Sequence, residues 1–169
     1  MKHARAAFSL LELTIVIGVI AILAALSLPV IGGIRSRAQR LQCMGNLRSL
    51  HVAAEQYVQD NNQWPQIKGN PTSPAFAQKW ISALSPYQIQ PKTWICPTIE
   101  NALGNPDYTS PGKQRVDYVG MPFDDKPMTP HQWPRMPWFV EYGNVHGNGQ
   151  LIIFTDGSIS DLNTLAKKP

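Results

Sequence analysis

Residues 13 to 34, LTIVIGVIAILAALSLPVIGGI, form a run of 22 positions without a charged side chain, and one carboxylate, Glu12, stands immediately before it. At ~1.5 Å per residue a helix of this run covers about 33 Å, enough for the hydrocarbon core of a bilayer. An acid at membrane depth costs about 2.5–3.5 kcal/mol even on insertion scales. A secretory signal peptide has an apolar core of about 7–15 residues and a small-x-small cleavage site, which Ala25-Leu26-Ser27 would supply. A plain single-pass anchor is the other simple account. Neither gives Glu12 a purpose.

The net charge of +4 and pI near 9.2 invite a nucleic-acid reading, but the charge is local. Lys2 and Arg5 precede the apolar run, and Arg35, Arg37 and Arg40 follow it. Residues 41 to 169 hold ten Lys/Arg and ten Asp/Glu, so the remainder is neutral and no nucleic-acid partner is expected.

A basic leader, then Ala7-Phe8, then Glu12 four residues on, then an unbroken apolar helix: this pattern resembles the class III signal of type IV pilins and type II secretion pseudopilins. The resemblance implies a cut by prepilin peptidase between Ala7 and Phe8 and methylation of Phe8. It implies that Glu12 pairs with the free amine of a neighbouring subunit during assembly. A buried carboxylate is tolerable when paired, which gives Glu12 its purpose. The family nearly always has Gly before the cut, where this chain has Ala7, the next smallest residue. Pro29 lies where the family's helix bends, and loss of one backbone donor costs about 3 kcal/mol. The positive-inside rule weighs Arg35, Arg37 and Arg40 against the leader. The family's topology instead puts the amino terminus in the cytoplasm and the bulk of the chain in the periplasm.

In RAQRLQCMGNLRSLHVAAEQYVQDNNQWP, the residues Leu41, Met44, Leu47, Leu50, Ala54 and Tyr57 recur at spacings of three and four, a helical stripe that a head domain would cover. Asp60, Asn61 and Asn62 read as the exit, and Trp64-Pro65 cannot continue the helix. One helix of about 80 Å is expected from 8 to 62, with no account from sequence of Gly45 inside it.

Residues 65 to 137 hold 13 of the 15 prolines, which excludes continuous helix or central strand over most of that span. A short amphipathic helix is expected at 74–84, with Phe76, Trp80, Ile81 and Leu84 on one side, and a strand within 115–121. KPMTPHQWPRMPW reads as an ordered surface loop packed by its own Trp side chains. Strands are expected near 137–142, 150–155 and 158–162. Asp156-Gly157 marks a hairpin whose two central residues take positive φ.

HGNGQLIIFTDG places nine residues between His146 and Asp156-Gly157 and resembles the H-X9-DG tail of prepilin-like proteins. The segment after the apolar helix and the late Cys96-Pro97 pair are similar to the same group. His146 and Asp156 suggest a catalytic pair, but there is no G-x-S-x-G and no H-E-x-x-H. His146 is expected to hydrogen-bond across the hairpin and Asp156 to serve its turn. Some pseudopilin heads hold calcium in an acidic C-terminal loop, and Asp156 and Asp161 are the calcium candidates. They are too few for a site of six to eight oxygens, so no cofactor or metal is expected. Cys43 and Cys96, an even count in an exported segment, are expected to form one disulfide tying helix to head.

The expected architecture is α+β and pilin-like: a leader at 1–7, a long helix at 8–62 with its transmembrane part at 8–34, and a periplasmic head at 63–169 with a small antiparallel sheet. The expected function is structural, not enzymatic: assembly into a type II secretion pseudopilus or related type IV pilus. The implied partners are prepilin peptidase, other pilin or pseudopilin subunits, the inner-membrane platform and the membrane. A membrane-anchored periplasmic binding or hydrolytic domain is the rival.

Overall fold

The computed structural model describes residues 9–104, 107, 110, 112–147 and 149–167, and of residues 27–31 the backbone only. The expected leader and the Ala7-Phe8 cut lie outside the described residues. The chain divides into two compact units, residues 1–37 and 38–169.

Helix α1 runs Leu10–Asn61, passing through Pro29 rather than ending there. In the first unit its apolar side chains are exposed, from Val16 at 48% to Leu10 at 80%. Among the described residues no helix is long and apolar enough to cross a membrane. The transmembrane part expected at 8–34 includes Phe8 and the side chains of 27–31, which lie outside the description.

The second unit contains the C-terminal half of α1, α2 (Pro74–Leu84), α3 (Pro97–Leu103), β1 (Tyr118–Gly120), β2 (Pro137–Glu141), β3 (Leu151–Phe154), β4 (Ile159–Asp161) and α4 (Leu162–Ala166). The strands form one antiparallel sheet in the order β1-β2-β3-β4. Helix α2 starts where Ser73 accepts the Phe76 N–H and Pro74 opens the first turn, the preferred chemistry at both positions. The short α3 and α4 were not foreseen from the sequence.

The buried stripe of α1 is Cys43, Leu47, Leu50, Ala54 and Val58, with Ala53 beside it. Leu41, expected to begin this stripe, is 67% exposed. It precedes Cys43 by two positions, roughly 200° around a 3.6-residue helix, so both cannot face the head. Trp64, Trp80, Trp94 and Trp138 are buried with Phe139 among them, ring centroids 5.0–6.0 Å apart. Five-ångström edge and tilted contacts of this kind add to the area each ring buries.

Gly120 explains why β1 sits so close to α2. A Cβ there would lie 2.3 Å from two ring carbons of Trp80, so only glycine lets the strand approach. The expected self-packed Trp loop is half correct: Trp138 donates its indole N–H to the Pro130 carbonyl at 2.8 Å, while Trp133 is 59% exposed.

The β3–β4 hairpin corrects one expectation. Its connection is three residues, Thr155-Asp156-Gly157, closed by Gly157 N–H to Phe154 O at 2.9 Å and Phe154 N–H to Ser158 O at 3.0 Å. Gly157 has φ +73°, and Asp156 is not among the positive-φ residues. A three-residue connection needs one left-handed residue, where a two-residue type I′ turn needs two.

Candidate functional site

Among the described residues, one place in each unit gathers groups able to do chemistry or bind a partner. The first is the start of α1. Ser9 N–H donates to Glu12 Oε2 at 3.1 Å, and Leu11 N–H donates to Ser9 Oγ at 3.3 Å. This is a variant of the capping box: Glu12 reaches back to the Ser9 N–H as in the motif, while Ser9 Oγ accepts from Leu11, one residue before Glu12. The S-x-x-E spacing before an apolar run was its sequence signal. Glu12 therefore has a local partner within its own chain.

The second place lies in the head, where four side chains meet: Cys43 of α1, Cys96 before α3, Glu141 at the end of β2 and His146 in the β2–β3 connection. One ligating atom from each lies within 4.8 Å of all the others. The two sulfurs are 2.7 Å apart, Cys96 Sγ is 3.6 Å from His146 Nε2, and His146 Nε2 is 3.1 Å from Glu141 Oε1. Glu141 is 0% exposed and the His146 side chain 2%. The expected pairing of Cys43 with Cys96 in space is present, but as two free thiols without an S–S bond. The sulfurs share their pocket with a carboxylate and an imidazole.

Each member is placed by its element. Cys43 begins the buried stripe of α1. Cys96 is held on both sides: Asn46 Nδ2 donates to Ile95 O at 2.9 Å, and Cys96 N–H donates to Asp117 Oδ2 at 2.9 Å. Asp117 is itself buried and bonded to Arg115 Nε at 2.8 Å. Glu141 follows from strand alternation, because residues i and i+2 share a face and Phe139 points into the core. Its partner across the sheet is Tyr118, and its second oxygen accepts from Leu151 N–H at 3.5 Å.

The environment couples the protons of the cluster. Cys96 is brought down to about 6, chiefly by accepting the Cys43 S–H, with help from Glu141 and the N–H groups of Ile99 and Thr98. Cys43 is pushed far up by the proton it shares with Cys96 and by burial. Burial, then the Cys96 sulfur, lifts Glu141 to about 8. The group can share protons, close a disulfide or surround a cation.

The remaining sequence candidates are separated. His146 meets Glu141 at the end of β2 and Cys96 before α3 rather than bonding across the 154–158 hairpin. Asp156 sits at that hairpin's turn, accepting Ser158 N–H at 2.9 Å and Ser158 Oγ–H at 2.5 Å. Gly157 supplies the left-handed residue of the same turn. Both oxygens of Asp161, the other calcium candidate, hold Arg40 at 2.7 and 2.8 Å. The buried Glu141 was missed because a single acid after PWFV carries no motif; the alternation placing it inward was its only signal.

Among curated proteins, the chain is 28% identical over 125 residues to the type II secretion system core protein G of Aeromonas hydrophila, a match covering 73% of this chain and 86% of that protein. It is 34% identical over 61 residues to the protein of the same name from Pectobacterium carotovorum subsp. carotovorum, covering 36% of this chain and 39% of that one. The chain is pseudopilin-like. Its α+β fold, one long N-terminal helix with a four-stranded antiparallel sheet, agrees with that. No protein-family model matches the chain, and no solved structure matches it.

Proposed function

We propose that this protein is a structural subunit of a type II secretion pseudopilus or a related type IV pilus, and that it performs no chemistry itself. The observation that carries the reading is α1 in the first unit. It is an apolar helix that leaves its side chains exposed, behind a leader with Ala7-Phe8 and Glu12 in pilin spacing. Exposed apolar surface of this extent marks an interaction with lipid or protein. The similarity to type II secretion core protein G over most of that protein's length supports the same reading.

In this scheme prepilin peptidase cuts before Phe8, the new amine is methylated, and the helix rests in the inner membrane with the head in the periplasm until it joins other subunits. Glu12 has two roles. In the lone subunit its carboxylate caps the Ser9 N–H; in the filament it faces the amine of the next subunit, where a buried charge is compensated.

Intact mass and amino-terminal sequencing of the protein from host membranes test the proposal. A chain that begins at methylated Phe8 is the expected result. A chain that begins at Met1 leaves Glu12 without its amine and overturns the assembly role, and one that begins after Ser27 makes the helix a cleaved signal.

A further inference from the structure

We infer that Cys43, Cys96, Glu141 and His146 form a structural zinc site that pins the head to its helix. The donor set is two sulfurs, one imidazole nitrogen and one carboxylate oxygen, all within 4.8 Å of one another. Zinc in structural sites is four-coordinate and tetrahedral, and it takes these three donor types. Thiolate ligands favour zinc over calcium or magnesium, which prefer oxygen.

The distances lie near those a metal needs. Bonds of about 2.0–2.3 Å imply tetrahedral edges of roughly 3.3–3.8 Å between donors. Cys96 Sγ to His146 Nε2 is 3.6 Å and His146 Nε2 to Glu141 Oε1 is 3.1 Å. The two sulfurs, at 2.7 Å, would part by about 1 Å on binding. Metal entry leaves both sulfurs as thiolates, Glu141 as carboxylate and His146 as neutral imidazole, and every proton the four groups still hold on those ligating atoms is released to solvent.

The surroundings are those of a built site. Ligand residues of metal sites are oriented by outer hydrogen bonds. Here Asp117 fixes the Cys96 backbone, Asn46 fixes Ile95, and Leu151 N–H leans on the second oxygen of Glu141. A disulfide would use only the two sulfurs and leave Glu141 and His146 with each other as partners, whereas a metal engages all four side chains. Cys43, Cys96 and Glu141 are buried and the His146 side chain is 2% exposed, so the site is closed and structural rather than catalytic. The inference concerns residues 38–169 and does not depend on processing at Phe8.

The test uses the full-length untagged chain in detergent. Zinc is measured by elemental analysis as purified; the protein is then reduced, stripped anaerobically and titrated with Co(II). One zinc per chain is expected, with a Co(II) titration that breaks at one equivalent, shows thiolate charge-transfer absorption and is reversed by zinc. Glu141→Gln and His146→Ala should each weaken Co(II) binding at least tenfold while the charge-transfer band persists. Cys96→Ser should reduce that band, and because this variant risks misfolding, the wild-type titration decides. Two outcomes overturn the site: metal-free protein lighter than the reduced chain by a pair of hydrogens, which is a disulfide, or reduced protein whose thiols stay reactive and give no charge-transfer band with Co(II).

Discussion

Single residues here carry more than their identity suggests. Glu12 is the clearest case, because its carboxylate serves both the helix cap and the proposed intersubunit pairing. Glutamine also completes a capping box, so Glu12→Gln separates the two. Helicity and head stability should match wild type, while incorporation into filaments, followed by shearing and immunoblotting, should fall at least tenfold. Normal incorporation would mean that the charge at Glu12 is dispensable. Gly120 is constrained by approach rather than by φ. Gly120→Ala puts a methyl against the Trp80 ring and should cost about 1–3 kcal/mol by overpacking, read as a lower urea midpoint. An unchanged midpoint would mean that β1 can retreat from α2 at no cost.

At the scale of elements, α1 in the second unit is bound to the sheet by polar contacts as well as by its stripe. His51 Nε2 meets the Thr155 carbonyl at 2.9 Å, and its ring stacks on Trp138 with centroids 4.7 Å apart. Arg40 grips both oxygens of Asp161 at the junction of β4 and α4. The contact is charge-assisted, but both bonds come from one nitrogen, Nη2, and Arg40 is one-third exposed, so solvent screening reduces it. Arg40→Ala should therefore destabilise the head by about 1–2 kcal/mol, with Arg40→Lys recovering only part; equal stability of all three in denaturant titrations would argue against a load on this pair. The same helix holds a residue with no packing role: a Cβ at Gly45 would meet open space. Gly45→Ala should raise the stability of the isolated subunit by up to about 1 kcal/mol. A fall would point to a backbone bend at that position.

For the whole molecule, the two units differ in kind. The first is apolar and exposed, with its described residues in one helix; the second has an aromatic core and a four-stranded sheet. Since every residue of that core lies at Cys43 or beyond, a chain of residues 38–169 should fold alone. The expected observations are a single cooperative unfolding transition and a strong near-ultraviolet dichroism from the buried tryptophans. Helical far-ultraviolet signal without near-ultraviolet signal would mean that the head needs the first 37 residues for its packing.

The sequence determined what depends on local order. Spacing of three and four along 43–58 is enough to make a one-sided helix, whatever it packs on, and Ser73-Pro74 and the Asp156-Gly157 turn mark their boundaries with chemistry that acts over a few bonds. The charge-free run and the Ala7, Phe8 and Glu12 pattern were legible for the same reason. The inward face of α1 was legible from Leu47 to Ala54 but not where it begins, because Leu41 also fits the spacing and yet is exposed. The approach of Cys43 to Cys96 was legible, but not that Glu141 and His146 join them. These residues are separated by as many as 103 positions in the chain, and they meet where β2 and its following loop come against Cys43 of α1 and Cys96 before α3. Local preferences act within a turn or two; a site assembled from three separate segments exists only once burial has fixed how those segments pack.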